Sequence, residues 1–237
     1  MPGTRDTRAV WQMFESVAHR YDLLNRFLSI RHDVAWRNRL VGRLQGDSPL
    51  VVVDVATGTG DVLTSVARLR TNVRFALGLD MSPKMLALAR AKLERHGEER
   101  VSLKLAQADA LLLPLADKTI DAVTMAFGIR NMPDVPAALQ EIRRVLRPGG
   151  HVLILEFSLP AKRVFRRLYL VYLRHVLPWL GGVVSGNCDA YGYLSRTIES
   201  FPYGSAFCSL LREAGFGDVT AAPLTFGIAT LYVGVAT

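Results

Sequence analysis

The stretch LVVVDVATGTGD at residues 50–61 constrains the fold of this chain more than any other. A short apolar run that ends in a glycine-rich turn is typical of a buried parallel strand followed by a tight turn. Asp61 is placed to cap the helix that follows. Gly58 and Gly60 carry no Cβ, so a ligand can approach the backbone closely. The sequence therefore predicts a strand, a turn and a helix at a ligand site, with an ordinary α/β turn as the alternative.

The glycine spacing limits the kind of ligand. Gly58-Thr59-Gly60 matches only the first half of a dinucleotide fingerprint, because Leu63 occupies the position of the third glycine. A pyrophosphate held at the helix N-terminus relies on that complete pattern. We therefore expect a nucleoside-like ligand rather than a dinucleotide.

Strand and helix patterns alternate along the rest of the chain. The predicted strands cover 73–79, 102–106, 120–127 and 151–157, the predicted helices cover 83–95, 134–146 and 207–214, and a closing antiparallel pair covers 219–224 and 230–235. This alternation predicts an α/β fold with a doubly wound, mostly parallel, seven-stranded sheet. An amphipathic helix at 8–21 and a second helix around 34–44 precede the first strand.

Acidic and polar side chains follow these strands, at the edge where ligands bind in a doubly wound sheet. The residues at these ends are Asp54, Gly58–Asp61, Asp80, Asp109, Arg130 and Asn131. Asp80 comes about 20 residues after the glycine turn, where an acidic residue accepts ribose hydroxyls. A cap for the helix that begins at Pro83 is the alternative. Asp109 is placed to accept from an exocyclic amine such as adenine N6, or is an exposed loop residue.

Composition and charge limit the classes of protein and of partner that remain possible. The chain has 237 residues, which suits one domain, and its 29 Lys and Arg exceed its 21 Asp and Glu to give a net charge of +8. This balance favours an acidic partner, either nucleic acid or an anionic membrane surface. We find no signal peptide and no apolar run of membrane-spanning length. Cys188 and Cys208 lack metal-ligand spacing and are expected to be reduced thiols of a cytoplasmic protein.

The segment 160–183, PAKRVFRRLYLVYLRHVLPWLGGV, combines basic, aromatic and aliphatic side chains. A basic helix with apolar flanks can lie in a membrane interface or guard an apolar pocket. An amphipathic helix on an ordinary protein surface is the alternative.

Several phrases together resemble the class I S-adenosylmethionine methyltransferases, and among them the UbiE/MenG-type quinone C-methyltransferases. They are YDLLNRFLS at 21–29, DVATGTGD at 54–61, FGIRNMPD at 127–134, RVLRPGG at 144–150, LEFSLP at 155–160, DAYGYL at 189–194, SFP at 200–202 and LTFGIATLYVG at 224–234. The resemblance implies a Rossmann-like fold over 1–237, with N-terminal helices covering the site at 1–48 and a helical insertion facing substrate or membrane at 160–200. FGIRN, LEFSLP and AYGYL are its most specific parts.

The resemblance also implies site residues. The family's cofactor contacts map onto Thr59, Asp80, Asp109 and Ala110, and its Arg-Asn pair maps onto Arg130 and Asn131. With the residues at the strand ends, the expected set for S-adenosylmethionine is Asp54, Gly58, Thr59, Gly60, Asp61, Asp80, Met81, Asp109, Ala110 and Ala126. We expect Arg130 to supply a positive charge for a developing phenolate and Asn131 an orienting hydrogen bond. Tyr21 and Asp22, with His19, are candidate proton acceptors.

The implied reaction is methyl transfer to a ring carbon of a polyprenylated quinol, with demethylmenaquinol as the favoured acceptor. The sulfonium donor is already electrophilic, so no metal is expected. A benzoquinol precursor of ubiquinone is the nearest alternative, and a small-molecule or RNA methyltransferase or a non-catalytic nucleoside-binding protein are others. Nucleic acid is not an expected partner, because RNP-type aromatics and a groove-reading basic helix are absent. We expect peripheral attachment to the inner face of an anionic membrane. The oligomeric state stays open, a homodimer included.

Two positions depart from the family pattern. Ala126 stands where relatives often have a serine after strand four, which removes a hydroxyl from the expected site. Arg31 stands where a glycine usually follows the LS of the N-terminal segment, which changes the expected shape of that loop.

Overall fold

The computed structural model describes residues 29, 32–46, 49–69, 72–95, 101–177 and 188–237, without the side chains of 188–191. The predicted helix at 8–21 and the residues His19, Tyr21, Asp22 and Arg31 lie outside the described residues.

A seven-stranded sheet forms the centre of the molecule. Its strands are β1 Leu50–Val55, β2 Val73–Asp80, β3 Ser102–Gln107, β4 Ile120–Ala126, β5 Leu146–Phe157, β6 Phe216–Leu224 and β7 Ala229–Ala236. They lie in the order β3-β2-β1-β4-β5-β7-β6. The pairs among β1 to β5 are parallel, and β7 runs antiparallel to both of its neighbours. The predicted doubly wound, mostly parallel sheet with a closing antiparallel pair is confirmed.

Helices cover both faces of this sheet in the described residues. They are α1 Asp33–Val41, α2 Asp61–Leu69, α3 Pro83–Arg95, α4 Val135–Val145, α5 Arg163–Val171, α6 Cys188–Ser200 and α7 Ser205–Glu213. Val52 and Val53 are consecutive in β1, and they enter two different clusters of buried apolar side chains. Successive side chains of a strand point to opposite faces, so each cluster is the core on one side of the sheet.

Local signals explain where the helices begin. The Asp134 carboxylate accepts a hydrogen bond from Ala137 N at 2.9 Å, and Pro136 lies in the first turn of α4. The Ser82 hydroxyl accepts from Met85 N at 3.3 Å at the start of α3. These side chains satisfy amide groups that the helices leave without partners.

The start of β5 differs from the predicted boundary. The sequence RPGG predicts a break after a helix at 134–146, yet α4 ends at Val145 and the extended chain begins at Leu146. Ile120 of β4 lies opposite Leu146, whereas Ala122 lies opposite His151, so β5 bulges between these pairs. Gly149 has a φ of +77°, which a glycine adopts without strain. The glycines therefore form a bulge within the strand rather than a separate loop.

The basic and apolar segment after β5 is helical as far as it is described. α5 continues directly into a π-helical turn at Tyr172–Val176, and 178–183 lie outside the described residues. No helix in the described part of the chain is long and apolar enough to cross a bilayer.

Candidate functional site

The sheet order creates a crevice where the chain reverses its direction of winding. β1 lies between β2 and β4, so the connections after β1 and after β4 lead to opposite sides. Ligands of doubly wound sheets bind at this switch point, beyond the carboxyl ends of the strands. Two adjoining clefts open there, of about 850 Å³ and about 290 Å³. The larger volume includes solvent at the mouth of the cleft.

The larger cleft receives residues from the ends of four neighbouring strands. Its lining consists of Val55, Ala56, Gly58, Leu79–Ser82, Met85, Ala108–Ala110, Phe127, Gly128 and Asn131–Pro133. The predicted residues Gly58, Asp80, Met81, Asp109, Ala110 and Asn131 are all in this set. The lining combines apolar side chains with the two carboxylates Asp80 and Asp109, as in a site for a nucleoside.

Asp80 joins the end of β2 to the glycine turn. Its Oδ2 accepts a hydrogen bond from Gly58 N at 2.8 Å, and its Oδ1 accepts from Ser82 N at 2.9 Å. Burial raises the pKa of this carboxyl, while these backbone donors lower it. An ionised carboxylate has about four acceptor positions, so Asp80 can accept further hydroxyl donors. Asp80 also supports the turn before α3 through Ser82 N, while its role toward a ribose stays a prediction.

Asp109 follows β3 and also lines the larger cleft. Its Oδ1 accepts from Leu111 N at 2.9 Å, which fixes the short loop after β3. The side chain is exposed, while Ala110 beside it is buried. The loop therefore presents a carboxylate and a small apolar side chain to the cleft.

The smaller cleft is polar and begins at the glycine turn. Its lining consists of Arg37, Asp54, Ala56, Thr57, Gly58, Thr59, Asp61, Val62 and Ala126. The predicted residues Asp54, Gly58, Thr59, Asp61 and Ala126 are in this set. Gly60 lines neither cleft, and its φ of +80° and the closeness of Ala89 to the site of a Cβ, 3.1 Å, explain the glycine instead. Ala56 and Gly58 line both clefts, so the two are continuous.

Asp54 is buried beneath the glycine turn. Its two oxygens accept from the hydroxyls of Thr57 and Thr124, each at 2.6 Å. Burial raises the pKa of Asp54 to about 7, although these hydrogen bonds and the nearby Arg37 lower it. Asp54 therefore titrates close to neutral pH in the folded protein.

Two cations near the glycine turn were not found from the sequence. Lys92 of α3 donates to Asp61 at 2.6 Å and to the Thr59 hydroxyl at 3.0 Å. Arg37 of α1 pairs with Asp33 at 2.7 Å and approaches Asp61 at 3.4 Å. Neither lies next to a motif in the sequence, and only the packing of α1 and α3 against α2 brings them here. No local sequence signal could have assigned them to the site.

Strained backbone borders the crevice on both sides. Ala56 follows β1 with a φ of +53°, and Phe127 follows β4 with a φ of +60°. Non-glycine residues rarely adopt this region, and such strain is concentrated at ligand sites. A Cβ on Gly128 would lie 2.8 Å from the Ala56 Cβ, so glycine is required where the two turns meet.

Arg130, which the sequence predicts to face the acceptor as a cation, lines neither cleft. Its guanidinium is 1 % exposed and forms an ion pair with Glu156 at 2.6 Å. It also donates to the Phe127 carbonyl at 2.8 Å and lies over the Phe157 ring. Glu156 further accepts from the amides of Phe157 and Arg130, at 2.7 and 3.3 Å. The guanidinium is thus neutralised by a buried partner, and the pair holds the turn after β4.

Asn131 is the member of the Arg-Asn pair that reaches the larger cleft. Its Oδ1 lies 3.4 Å from the Tyr193 hydroxyl, which donates, and its amide lies 3.4 Å from the Phe127 carbonyl. These contacts are long, so the amide can reorient toward a ligand. The described residues include no group of three or more His, Cys, Asp or Glu side chains that could hold a metal.

The clefts fit the parts of S-adenosylmethionine, the cofactor that the resemblance implies. The apolar side chains and the carboxylates Asp80 and Asp109 of the larger cleft suit an adenosine, which carries hydroxyl and amine donors. The smaller cleft combines Asp54 and Asp61 with Arg37, a set that suits a zwitterionic amino acid. The continuity of the clefts at Gly58 matches a single molecule that has both ends.

Comparison with known proteins supports the same fold and class. A sequence model of the ubiE/COQ5 methyltransferase family matches residues 1–236. A demethylmenaquinone methyltransferase of Thermus thermophilus is 46% identical over 222 residues, which cover 94% of this chain and 99% of that protein. A ubiquinone/menaquinone biosynthesis C-methyltransferase UbiE of Geobacter sulfurreducens is 41% identical over 232 residues, covering 98% and 90%.

Solved structures show the fold. A crystal structure of an S-adenosylmethionine-dependent methyltransferase from Thermotoga maritima superimposes with a TM-score of 0.64 at 20% identity, covering 96% of this chain and all of that one. The Rossmann-like arrangement of class I methyltransferases, expected from the sequence, is confirmed.

Proposed function

The chain belongs to the ubiE/COQ5 methyltransferase family and is an S-adenosylmethionine-dependent methyltransferase, and from that premise we propose that it methylates a ring carbon of demethylmenaquinol. The observation that carries this proposal is the pair of continuous clefts at the switch point, within a family match that spans 1–236. Several of its relatives are named demethylmenaquinone methyltransferases. The acceptor assignment rests on those names together with the sequence resemblance.

The cofactor-binding residues that we propose divide between the clefts. Asp80 accepts from the ribose hydroxyls, Asp109 from the adenine amine, and Met81 and Ala110 contact the purine. Asp54, Thr59, Asp61 and Ala126 surround the amino-acid end, and Gly58 joins the two parts, supported by the lining residues of each cleft. When bound, S-adenosylmethionine supplies an electrophilic methyl group on a positively charged sulfur.

The acceptor side depends on the turn after β4. A quinol ring carbon becomes nucleophilic when the neighbouring hydroxyl loses its proton, and the site must orient that ring and exclude water. We propose that Asn131 hydrogen bonds to the acceptor oxygen, because its amide reaches the larger cleft. Arg130 acts through this turn, which it holds together with Glu156. Tyr21 and Asp22 stay our candidates for receiving the proton.

We propose that the protein methylates its acceptor at a membrane surface. The acceptor carries a prenyl tail, and one isoprene unit alone contributes about 4 kcal/mol of lipid anchoring, at about 0.8 kcal/mol per CH₂. Val164 and Leu168 of α5 are 71% and 63% exposed, and Phe226 is 73% exposed and stacks on Phe165 with ring centroids 4.9 Å apart. The same segment carries four exposed cations, Lys162, Arg163, Arg166 and Arg167.

This composition suits the interface of an anionic bilayer. Apolar side chains enter the acyl boundary, and each basic residue near the surface contributes about 1 kcal/mol. We propose peripheral attachment through this surface at the cytoplasmic face. Such binding weakens as salt screens the charges.

A second acceptor is favoured by one finding. Relatives such as that of Geobacter sulfurreducens are named for both ubiquinone and menaquinone biosynthesis. A 2-methoxy-6-polyprenyl-1,4-benzoquinol is therefore the alternative substrate of the same site.

A direct competition tests the proposed function. Purified protein is incubated with S-adenosylmethionine and short-chain forms of both acceptors, reduced with dithionite, and the products are identified by mass spectrometry. We expect methylated menaquinone, and none when the reductant is left out, because the oxidised ring is not nucleophilic. Methylation of the benzoquinol alone would move the assignment to the ubiquinone series, and methylation of neither would refute it.

A further inference from the structure

We propose that Arg37 of α1 binds the carboxylate of the cofactor's amino-acid end and thereby selects ligands that carry this group. This inference rests on the proposed use of S-adenosylmethionine. It adds a binding residue outside the glycine turn, on a helix that no motif in the sequence connects with the cofactor.

The charges that line the clefts single out Arg37. Among the described residues that line them, four carboxylates stand against one cation, Arg37, with Asp54, Asp61, Asp80 and Asp109 as the carboxylates. A bound ligand with an ammonium group, a sulfonium and a carboxylate finds acidic partners for both cations. Its carboxylate needs a cation, and Arg37 is the side chain that lines the polar cleft with that charge.

The guanidinium is held firmly in its position. Asp33 Oδ2 pairs with Arg37 at 2.7 Å, and its other oxygen accepts from the Ser29 hydroxyl at 3.0 Å. The guanidinium also lies over the Phe127 ring, 5.4 Å from its centroid. A buried, oriented fork needs little reorganisation to bind a carboxylate, and this favours affinity.

The neighbouring carboxylate of Asp61 has a closer partner than Arg37. Asp61 lies 3.4 Å from Arg37 but only 2.6 Å from Lys92 Nζ, so its stronger bond is to Lys92. A ligand carboxylate can approach Arg37 while Asp61 keeps its partner in α3. The Asn38 amide oxygen accepts from the Ser65 hydroxyl at 3.0 Å and fixes α1 against α2, so the guanidinium stays above the glycine turn.

A purely structural role predicts a different behaviour. If Arg37 serves only to join α1 to the rest of the molecule, its loss weakens every ligand of the site alike. If it binds the carboxylate, its loss affects only ligands that have one. The chemistry of the ligand therefore separates the two roles.

Titration calorimetry with three ligands provides the test. S-adenosylhomocysteine has the full amino-acid end, its decarboxylated analogue lacks only the carboxylate, and 5′-methylthioadenosine lacks the whole end. We expect the wild-type protein to bind S-adenosylhomocysteine about 10- to 100-fold more tightly than the decarboxylated analogue, as for a lost charge-assisted hydrogen bond. In Arg37→Gln this preference disappears, while affinity for the other two ligands stays within about twofold of wild type.

Two further variants keep the test decisive. Arg39→Gln changes an exposed arginine of the same helix and should keep the wild-type preference. Arg37→Lys keeps the charge opposite Asp33 but loses the fork, so we expect an intermediate preference. This variant also supplies the answer if Arg37→Gln does not fold, which thermal denaturation reports.

The outcomes separate this inference from the proposed function. Equal affinity of the wild-type protein for S-adenosylhomocysteine and its decarboxylated analogue overturns the role of Arg37 but leaves the cofactor assignment standing. A uniform loss for all three ligands in Arg37→Gln or Arg37→Lys overturns it in favour of a structural role. Failure of S-adenosylhomocysteine to bind at all refutes both.

Discussion

Asp80 is the residue whose position ties the end of β2 to the glycine turn, through a 2.8 Å hydrogen bond from Gly58 N. We expect Asp80→Ala to weaken S-adenosylhomocysteine binding by about 1–3 kcal/mol, because an acceptor for charge-assisted hydrogen bonds is lost. Calorimetry measures this, with Asp117→Ala, at an exposed aspartate that lines neither cleft, as the control. Unchanged affinity in Asp80→Ala would remove Asp80 from the cofactor site.

Asp54 makes the stability of the fold depend on pH. The unfolded chain releases this proton near 3.8, whereas the folded protein holds it up to about 7. Between these values the folded state binds more protons, so this group's contribution to the free energy of unfolding falls as pH rises. The hydrogen bonds from Thr124 and Thr57 and the charge of Arg37 lower the pKa of Asp54. The charge of Asp80 raises it.

We expect Asp54→Asn to flatten this dependence, because an amide does not titrate. Urea denaturation of both proteins at pH 5 and pH 7.5 measures the difference. The free energy of unfolding of the variant should increase relative to that of the wild type as the pH rises. An identical pH dependence in the two proteins would show that Asp54 does not titrate in this window.

Residue types at strand ends were accessible from the sequence, but partners across the fold were not. Asp80 and Asp109 could be found because each ends a recognisable strand near a small-residue turn. Arg37 and Glu156 could not, since their roles come from contacts with Asp33 and Arg130 that only packing creates. The pairing of Arg130 with Glu156 was missed for the same reason, because the sequence does not show which distant carboxylate a buried guanidinium meets.

At the scale of elements, the turn after β4 depends on the buried pair of Arg130 and Glu156. We expect Glu156→Gln to lower the free energy of unfolding by about 3–5 kcal/mol, because it leaves a guanidinium buried without its counter-charge. Denaturation in urea measures this. Glu199→Gln removes the carboxylate of an ion pair with the exposed Arg174 and should leave the midpoint almost unchanged. Similar losses in both variants would contradict the importance of the buried pair.

If the exposed surface of α5 and Phe226 contacts lipid, substitutions there should weaken binding to vesicles. Replacing the exposed Leu168 and Phe226 together by Asn should reduce partitioning onto vesicles that contain phosphatidylglycerol by about tenfold or more, since buried apolar area is lost. Leu69→Asn, at a 49% exposed leucine of α2, is the matched control. Sedimentation of the vesicles measures both. Equal binding by all three proteins would exclude this surface as the contact with lipid.

The spacing of apolar residues predicted most helices and strands. The exceptions lie where the backbone conformation does not follow from that spacing. α4 carries buried apolar side chains at helical spacing, so its position could be predicted within one residue at each end. The start of β5 could not be predicted, because the sequence RPGG is typical both of a loop and of a bulge within a strand. The left-handed conformations of Ala56 and Phe127 could not be predicted either, because non-glycine residues rarely adopt them and nothing in the sequence marks these two.

At the scale of the whole molecule, the strand order makes one site from distant parts of the chain. The ends of β1, β2, β3 and β4 all contribute to a single cleft, with Val55, Ala56, Gly58, residues 79–82 and 108–110, Phe127, Gly128 and residues 131–133. The alternation of strands and helices was sufficient to predict this convergence, because parallel strands place their carboxyl ends at one edge. The shape of the acceptor side could not be predicted in this way, since it depends on how α5 and α6 pack against the turn after β4.

The most direct test of the central claim follows the methyl group itself. The protein is incubated with S-adenosylmethionine labelled with carbon-13 in its methyl group and with reduced short-chain demethylmenaquinone, and the product is examined by NMR. We expect the label on the ring carbon, with the aromatic proton of the acceptor lost. A label on a quinol oxygen, or no labelled quinone at all, would contradict the assignment of this protein as a quinol C-methyltransferase.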